Sequence, residues 1–398
     1  MTRQINMDKE DYTSVFKCIR CGQCTYGKEA AGFTVLCPVN KKGHFFSYSA
    51  GGMMQIARSL YEGKIDDINS LQNITTLCTT CGICDVNCGV IDNPLNIIIK
   101  IKKLLMDQDL PGSKKVSKVT DRIVEHKNRY GISHEKRTAW LENRSKKIDN
   151  PLADILYFTG CVSAYDQKEI PKAFDGILSR LDIAYTVASD EQCCGGPLYF
   201  SGLQDQARKQ AEHNIKMVED TGIKTVVASC PTCALMLKKY YPQWTGKKLP
   251  FKILHTMEYL ENLMEQGKLG HLSLKENTNV IYHDPCHLGR GLGIYEAPRR
   301  LLKAIDNLKL AEFDLCDENS MCCGGGGLLP VTNASFSREI AKSRLDAIPE
   351  NQGKNRIERF VSACPTCRKT VGLAAERDGK GIMVNDICEL VLESLRAE

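Results

Sequence analysis

The sequence predicts an α/β protein in which a mainly helical N-terminal module precedes two copies of one α/β unit. Three observations predict it. Two C-x2-C-x2-C cysteine groups lie between Cys18 and Cys88. Beyond residue 150, short β-rich runs alternate with helical patterns, the signature of a mainly parallel sheet. That second region also matches itself at an offset of about 125 residues, so it is a duplication.

The chain has 398 residues, more than one core usually holds. It is 42% hydrophobic and 25% charged, which suits globular domains and excludes a disordered chain. Twenty cysteines make the composition unusual. The start, "MTRQINMDKEDYTS", lacks the apolar core of a signal peptide, so a cytoplasmic location is expected, where clustered cysteines bind metal or do redox work. The apolar stretch "NIIIKIKKLLM" (96–106) is broken by lysines, and no direct membrane span is expected. The formal net charge of +5 counts every thiol as neutral. No dense basic run with interleaved aromatics suggests a nucleic-acid partner.

The N-terminal module (1–110) is built around "CIRCGQC", with Cys18, Cys21 and Cys24 followed by Cys37, and "CTTCGIC", with Cys78, Cys81 and Cys84 followed by Cys88. Three cysteines at this spacing wrap one face of a cubane iron–sulfur cluster, and in two-cluster ferredoxins the fourth ligand comes from the other group. On that pattern Cys18, Cys21, Cys24 and Cys88 hold one [4Fe–4S] cluster, and Cys78, Cys81, Cys84 and Cys37 the other. Twelve residues separate Cys24 from Cys37 where three is usual, so a loop must bulge between them. The competing reading is a pair of zinc ribbons, but zinc has no use for the third regularly spaced thiol. Residues 111–150 then run charged and weakly periodic, between the breakers "DLPGS" and "KKIDNP", and read as a charged linker.

The duplicated units occupy 151–275 and 276–398. "DILYFTGC" in the first parallels "NVIYHDPC" in the second. Each run leads through a helix to a double cysteine, through another helix to "ASCPTC" or "SACPTC", and finally to a strand and an amphipathic helix. In parallel sheets, ligands bind beyond the carboxyl ends of the strands, and every cysteine of the repeat falls at such an end. The first set is Cys161, Cys193, Cys194, Cys230 and Cys233; the second is Cys286, Cys322, Cys323, Cys364 and Cys367. Five thiols are one too many for a simple cubane or a zinc tetrahedron, and adjacent thiols favour an opened cluster with bridging thiolates. Gly195 and Gly196, and Gly324 and Gly325 in the run ending at Gly327, remove side-chain bulk beside the pair. Backbone amides can then reach the sulfurs, and space remains for a ligand.

The pattern C-x31-C-C-G-x34-C-P-T-C, followed by C-x35-C-C-G-x39-C-P-T-C, resembles the CCG domains of the heterodisulfide reductase family. With a two-cluster ferredoxin module in front, the chain looks like the HdrD type. "HDPCHLGRGLGIYEAPRRLL" (283–302) and "YGISHEKRTAW" (130–140) resemble segments of that family too. The resemblance implies two cubane clusters and two noncubane [4Fe–4S] clusters, the latter one per CCG domain and facing each other across a pseudo-twofold axis. It also implies that electrons arrive through the ferredoxin module and that a disulfide is reduced between the noncubane clusters.

His287 and Arg290, directly after Cys286 in "CHLGR", are the candidate catalytic residues, expected to give a proton or a charge-assisted hydrogen bond to a departing thiolate. Cys316 and Cys388 are expected to be structural. "GRGLG" (289–293) fails as a dinucleotide fingerprint because Ile294 stands where its last glycine belongs. With no flavin or nicotinamide site, the expected partners are other redox subunits: a flavoprotein, a cytochrome b or a ferredoxin-type donor. Any attachment to the cytoplasmic membrane face would run through such a partner. The alternative function is a non-catalytic electron-transfer subunit of a larger anaerobic complex. Examples are the HdrD-like component of tungsten benzoyl-CoA reductase and the iron–sulfur subunit of a flavin-dependent hydroxy-acid oxidising complex.

Overall fold

The N-terminal module starts with helix Lys9–Phe16, whose first turn is closed by a capping box between Asp8 and Asp11. The insertion between Cys24 and Cys37 bulges out as an antiparallel pair of β1 (Tyr26–Glu29) and β2 (Gly32–Val35), after which the chain reaches Cys37. Helix Ala50–Tyr61 is capped by Ser49 and helix Pro94–Met106 by Asn93, and the two pack together. The apolar stretch at 96–106 is the second of these helices. Ile97, Ile98, Ile101 and Leu105 are buried with Met53, Met54, Ala57 and Leu60. The computed structural model describes residues 5, 7–29, 32–65, 67–108, 110–141, 147–349 and 356–395. No helix among them is long and apolar enough to cross a membrane.

Of the two readings of the basic segment 112–137, a solvated linker or a docking helix, residues 111–126 take the second. Helix Pro111–His126 buries Val116, Val119 and Ile123, and Lys115 donates to the Thr332 carbonyl of the second repeat at 3.1 Å. Beyond it, Arg137, Trp140 and Leu141 are buried against the first repeat. The charges lie on one face of a helix whose other face is apolar, so overall polarity concealed the packing.

The first repeat forms a four-stranded parallel sheet from β3 (Ile155–Phe158), β4 (Tyr185–Thr186), β5 (Thr225–Ala228) and β6 (Lys252–His255), in the order β4-β3-β5-β6. The second uses β7 (Leu272–His283), β8 (Ile305–Glu312), β9 (Arg359–Ser362) and β10 (Met383–Asp386), in the order β10-β9-β7-β8. Both orders are 2-1-3-4 in chain terms, which matches the internal repeat in topology as well as in sequence. Strand order reverses between the first and third strands, and a crevice opens beyond their carboxyl ends.

Helix Glu169–Arg180 of the first unit packs on Ile387–Leu395, the last helix of the second. Helix Thr256–Glu265, the last of the first unit, packs on Glu296–Lys303 of the second. Each unit thus offers the same two helices to its partner, which is the self-complementary contact of a twofold. Ile170, Phe174 and Ile177 on one side and Leu390 and Val391 on the other are buried, each contributing roughly 1.5–3 kcal/mol. This interface turns the two crevices towards each other.

Candidate iron–sulfur sites

The N-terminal cysteines gather into two groups of four. Cys18, Cys21, Cys24 and Cys88 line one small cavity, and Cys37, Cys78, Cys81 and Cys84 line another. The two cysteine-rich loops share a conformation: Arg20 and Thr80 take φ of 61° and 55°, while Gly22 and Gly82 take 76° and 72°. Positive φ turns successive thiols to the same side of the loop. Backbone amides point at the sulfurs, with Gly51 N to Cys24 Sγ and Ile91 N to Cys88 Sγ both at 3.3 Å. Burial pushes the Cys24 thiol up to about 11 and Cys37 up to about 12. Buried thiols of this kind ionise only when cationic partners accompany them. Cys21 is exposed, so the first group lies near the surface.

The ten cysteines of the repeats converge across the domain interface. Cys161, Cys193, Cys194, Cys230 and Cys233 line the same cavity as Cys286, Cys323, Cys364 and Cys367. The tenth, Cys322, is buried in one cluster with Cys81, with Cys286 and Cys37 packed against it. The second set therefore abuts the inner ferredoxin-type group. Both sets share an internal order. The Cys193 thiol is the chief cause that holds Cys194 below the ordinary thiol range, while Cys194 is the chief cause that pushes Cys233 up. Cys322, Cys323 and Cys367 repeat this relation.

The glycines after each pair do two jobs. Gly195 and Gly324 adopt φ of 80° and 85°, and Gly324 N donates to Cys322 Sγ at 3.3 Å. Gly196 and Gly325 make room: a Cβ there would stand 2.6 Å from Thr232 Cγ2 or 2.5 Å from Thr366 Cγ2, the threonines of the two C-P-T-C motifs. Two further glycines, Gly326 and Gly327, appear only in the second repeat. A Cβ on either would lie 2.2 Å from the carbonyl oxygen of Thr79 or Cys78, so they let the ferredoxin-type loop seat against the second set.

That loop is gripped from several sides. Lys102, 8% exposed, donates to the Cys78 carbonyl at 3.0 Å. His287 Nε2 donates to the Thr80 carbonyl at 3.0 Å, so its Nδ1 accepts from the Thr232 hydroxyl at 2.8 Å. Burial lowers its pKa, and the ring stacks on Phe200 with centroids 4.9 Å apart. Arg290 donates to the carbonyls of Cys81 at 2.9 Å and Ser320 at 2.7 Å. The ring proton of neutral His287 is thus committed to the ferredoxin-type loop rather than to a thiol, and Arg290 braces the same loop.

Sequence reasoning did not single out Arg137 or Glu191. Arg137, 1% exposed, pairs with Glu191 at 2.6 Å and brings Nη2 within 3.8 Å of Cys161 Sγ. Glu191 also accepts from the amides of Thr159 and Gly160 at 2.8 and 2.9 Å, and so fixes the turn that presents Cys161. "SHEKRTAW" carried only a family-level signal for it, since nothing in a charged run marks which arginine is buried.

Comparison with known proteins places these features. A cysteine-rich domain model, CCG, matches residues 155–238 and 280–372, and a 4Fe-4S dicluster domain model matches 14–90. The D component of dihydromethanophenazine:CoB–CoM heterodisulfide reductase from Methanosarcina barkeri is 31% identical over 397 residues, covering 95% of this chain and 93% of that protein. The chain belongs to the HdrD family. Other relatives in this group carry different names. The B component of fumarate reductase (CoM/CoB) from Methanothermobacter marburgensis is 26% identical, over 96% of this chain and 73% of that protein. EtfAB:quinone oxidoreductase of Syntrophomonas wolfei is 24% identical, over 97% of this chain and 59% of that protein. An HdrD-family chain is an iron–sulfur oxidoreductase subunit that works with redox partners.

Proposed function

We propose that this HdrD-family chain reduces a disulfide in the cavity between its two cysteine-rich domains. The convergence there of nine cysteines from both repeats carries the reading. In the same reading Cys18, Cys21, Cys24 and Cys88 hold one cubane cluster, and Cys37, Cys78, Cys81 and Cys84 the other. Each five-cysteine set of the repeats holds a noncubane [4Fe–4S] cluster. The residues fit such groups, because thiols from separate loops converge, are mostly buried and receive backbone N–H bonds, which stabilise thiolates on iron. When bound, the clusters would supply one-electron redox capacity. Reduction of the disulfide takes two electrons and two protons and releases two thiols. The electrons come from a partner redox protein of the flavoprotein, cytochrome b or ferredoxin type.

The protein's own side chains shape the site. Phe200, Val162, Leu328 and three prolines give the cavity apolar walls that exclude water. Among the described residues lining it, Arg129 is the one permanently charged side chain, and it suits an anionic group on the substrate. His287 and Arg290 serve as positioning residues that lock the ferredoxin-type loop against the second set. Exposed Cys21 marks the end at which a partner docks.

The test is a titration of the reduced holo-protein with disulfides and thiols, followed by EPR. A thiol-dependent paramagnetic signal from a cysteine-rich site is expected. Silence towards every thiol at full iron content refutes the catalytic reading. It leaves a chain that passes electrons on between redox partners.

A further inference from the structure

The two cysteine-rich sites match in topology and in thiols, but their surroundings differ in charge. Arg344 lies in helix Ala334–Asp346, is 1% exposed, and leaves Nε and Nη2 without a hydrogen-bond partner. Its guanidinium sits 3.7 Å from the centroid of the Phe313 ring. No carboxylate pairs with it among the described residues; nearby Asp284 is taken by both terminal nitrogens of Arg299 at 2.8 and 2.9 Å. A ring nitrogen of His283, Cys323 Sγ and Cys367 Sγ all lie within 4.8 Å of one another, and His283 Nδ1 also lacks a partner.

The first site has neither group. A Cβ on Gly195 would meet the Ala207 carbonyl, and one on Gly324 would meet the Ser337 carbonyl, so Ala207 corresponds to Ser337 and Asn214 to Arg344. Asn214 is neutral and fully satisfied, bonding to Gln192 on both sides, the Cys193 carbonyl and the Tyr241 hydroxyl. His283 stands three residues before Cys286, where the first repeat has Phe158 before Cys161. The buried arginine near the first site, Arg137, is neutralised by Glu191.

A buried guanidinium without a counterion is strongly destabilising unless an anion stands beside it. The adjacent candidates are thiols of the second set: Phe313, against which the guanidinium lies, packs in one buried cluster with Cys323 and Cys367, and these thiols become that anion when they ligate metal. We propose that Arg344 and His283 make the two cysteine-rich sites unequal, so that the second site is the more easily reduced of the pair. The inference rests on the cluster reading above. An added electron makes a site more negative; the unpaired charge of Arg344 in a low-dielectric interior favours the reduced form, and His283 can turn a ring N–H towards the Cys323 and Cys367 sulfurs. Both residues are positioning residues that act through the thiolates.

The experiment is an EPR-monitored redox titration of the full-length holo-protein against a one-electron chemical reductant, with iron measured on the same samples. The variants are Arg344→Gln, Arg344→Lys and His283→Phe. In the wild type, the two cysteine-rich sites titrate separately. Arg344→Gln shifts one of them towards the oxidised form by tenfold or more, 59 mV for a one-electron couple. His283→Phe shifts the same site in the same direction, and Arg344→Lys stays within threefold of wild type. Iron loss from one site in Arg344→Gln but not in Arg344→Lys supports the pairing of the arginine charge with the thiolates on which the proposal stands. Full iron with unchanged potentials in Arg344→Gln overturns it, as does equal iron loss in both arginine variants. A wild-type chain with iron only in its N-terminal module overturns the cluster reading itself, and the inference with it.

Discussion

Replacing Gly326 with alanine tests whether the second repeat holds the ferredoxin-type loop in place. Gly326 has no positive φ, so the added methyl acts through space and not through backbone strain. Its Cβ would stand 2.2 Å from the Thr79 oxygen, whereas ordinary contact begins at 3.4 Å, so one backbone must move by about 1.2 Å. The loop has little room to yield, because the carbonyls of Cys78, Thr80 and Cys81 are held by Lys102, His287 and Arg290 at 2.9–3.0 Å. Overpacking of this kind costs about 1–3 kcal/mol, and each strained hydrogen bond adds up to roughly 1 kcal/mol. We expect Gly326→Ala to lose about 2–4 kcal/mol of stability in denaturant unfolding of the holo-protein. Hydrogen exchange of the 76–84 segment should speed up, with the β3–β6 sheet unaffected. Gly372→Ala is the control: its Cβ meets only Val384 Cβ at 3.9 Å within helix Pro365–Arg377, so it should be neutral or stabilising by up to ~1 kcal/mol. Wild-type stability and unchanged exchange at 76–84 in Gly326→Ala would refute the docking role of the extra glycines.

Three further outcomes follow from buried or lining charges. Arg137→Leu leaves Glu191 buried and unpaired and should cost about 3–5 kcal/mol in denaturant unfolding, with much of the loss recovered in the Arg137→Leu/Glu191→Gln double variant. Arg129→Ala should raise KM for an anionic disulfide roughly five- to tenfold at unchanged kcat in a steady-state assay, with a smaller effect at high salt. Burial raises the Asp386 carboxyl to about 7, so its native form binds a proton that the unfolded chain has already lost. The associated stability is present below the ordinary carboxyl range and is lost as pH rises to and through about 7. Asp386→Asn should therefore gain on wild type by roughly 1 kcal/mol between pH 6 and pH 8, read as the change in unfolding midpoint.

Much of this molecule is legible in its cysteines. Their spacing separates the N-terminal groups, the doubled pairs mark the repeat, and the strand-end rule brings both repeats' thiols to crevices that the structure turns towards each other. Those signals survive because a thiol set, a tight turn and a parallel strand each demand particular residues at fixed spacing. The long polar side chains are less legible. Lys102, Arg137 and Arg344 sit in helices or charged runs whose exposed neighbours are of the same type. Which one turns inward depends on the carbonyl, carboxylate or thiol that tertiary packing places beside it, and local pattern holds no record of that. His287 illustrates the same limit. Its position after Cys286 suggested proton donation, whereas domain docking supplies a carbonyl and a hydroxyl that occupy both ring nitrogens.

The central claim is that four cysteine sets hold four iron–sulfur clusters. Its most direct test is metal analysis of anaerobically purified full-length protein, with iron and zinc determined per chain. The account predicts about sixteen irons and negligible zinc. About eight irons, with zinc or no metal in the remaining sites, would contradict it.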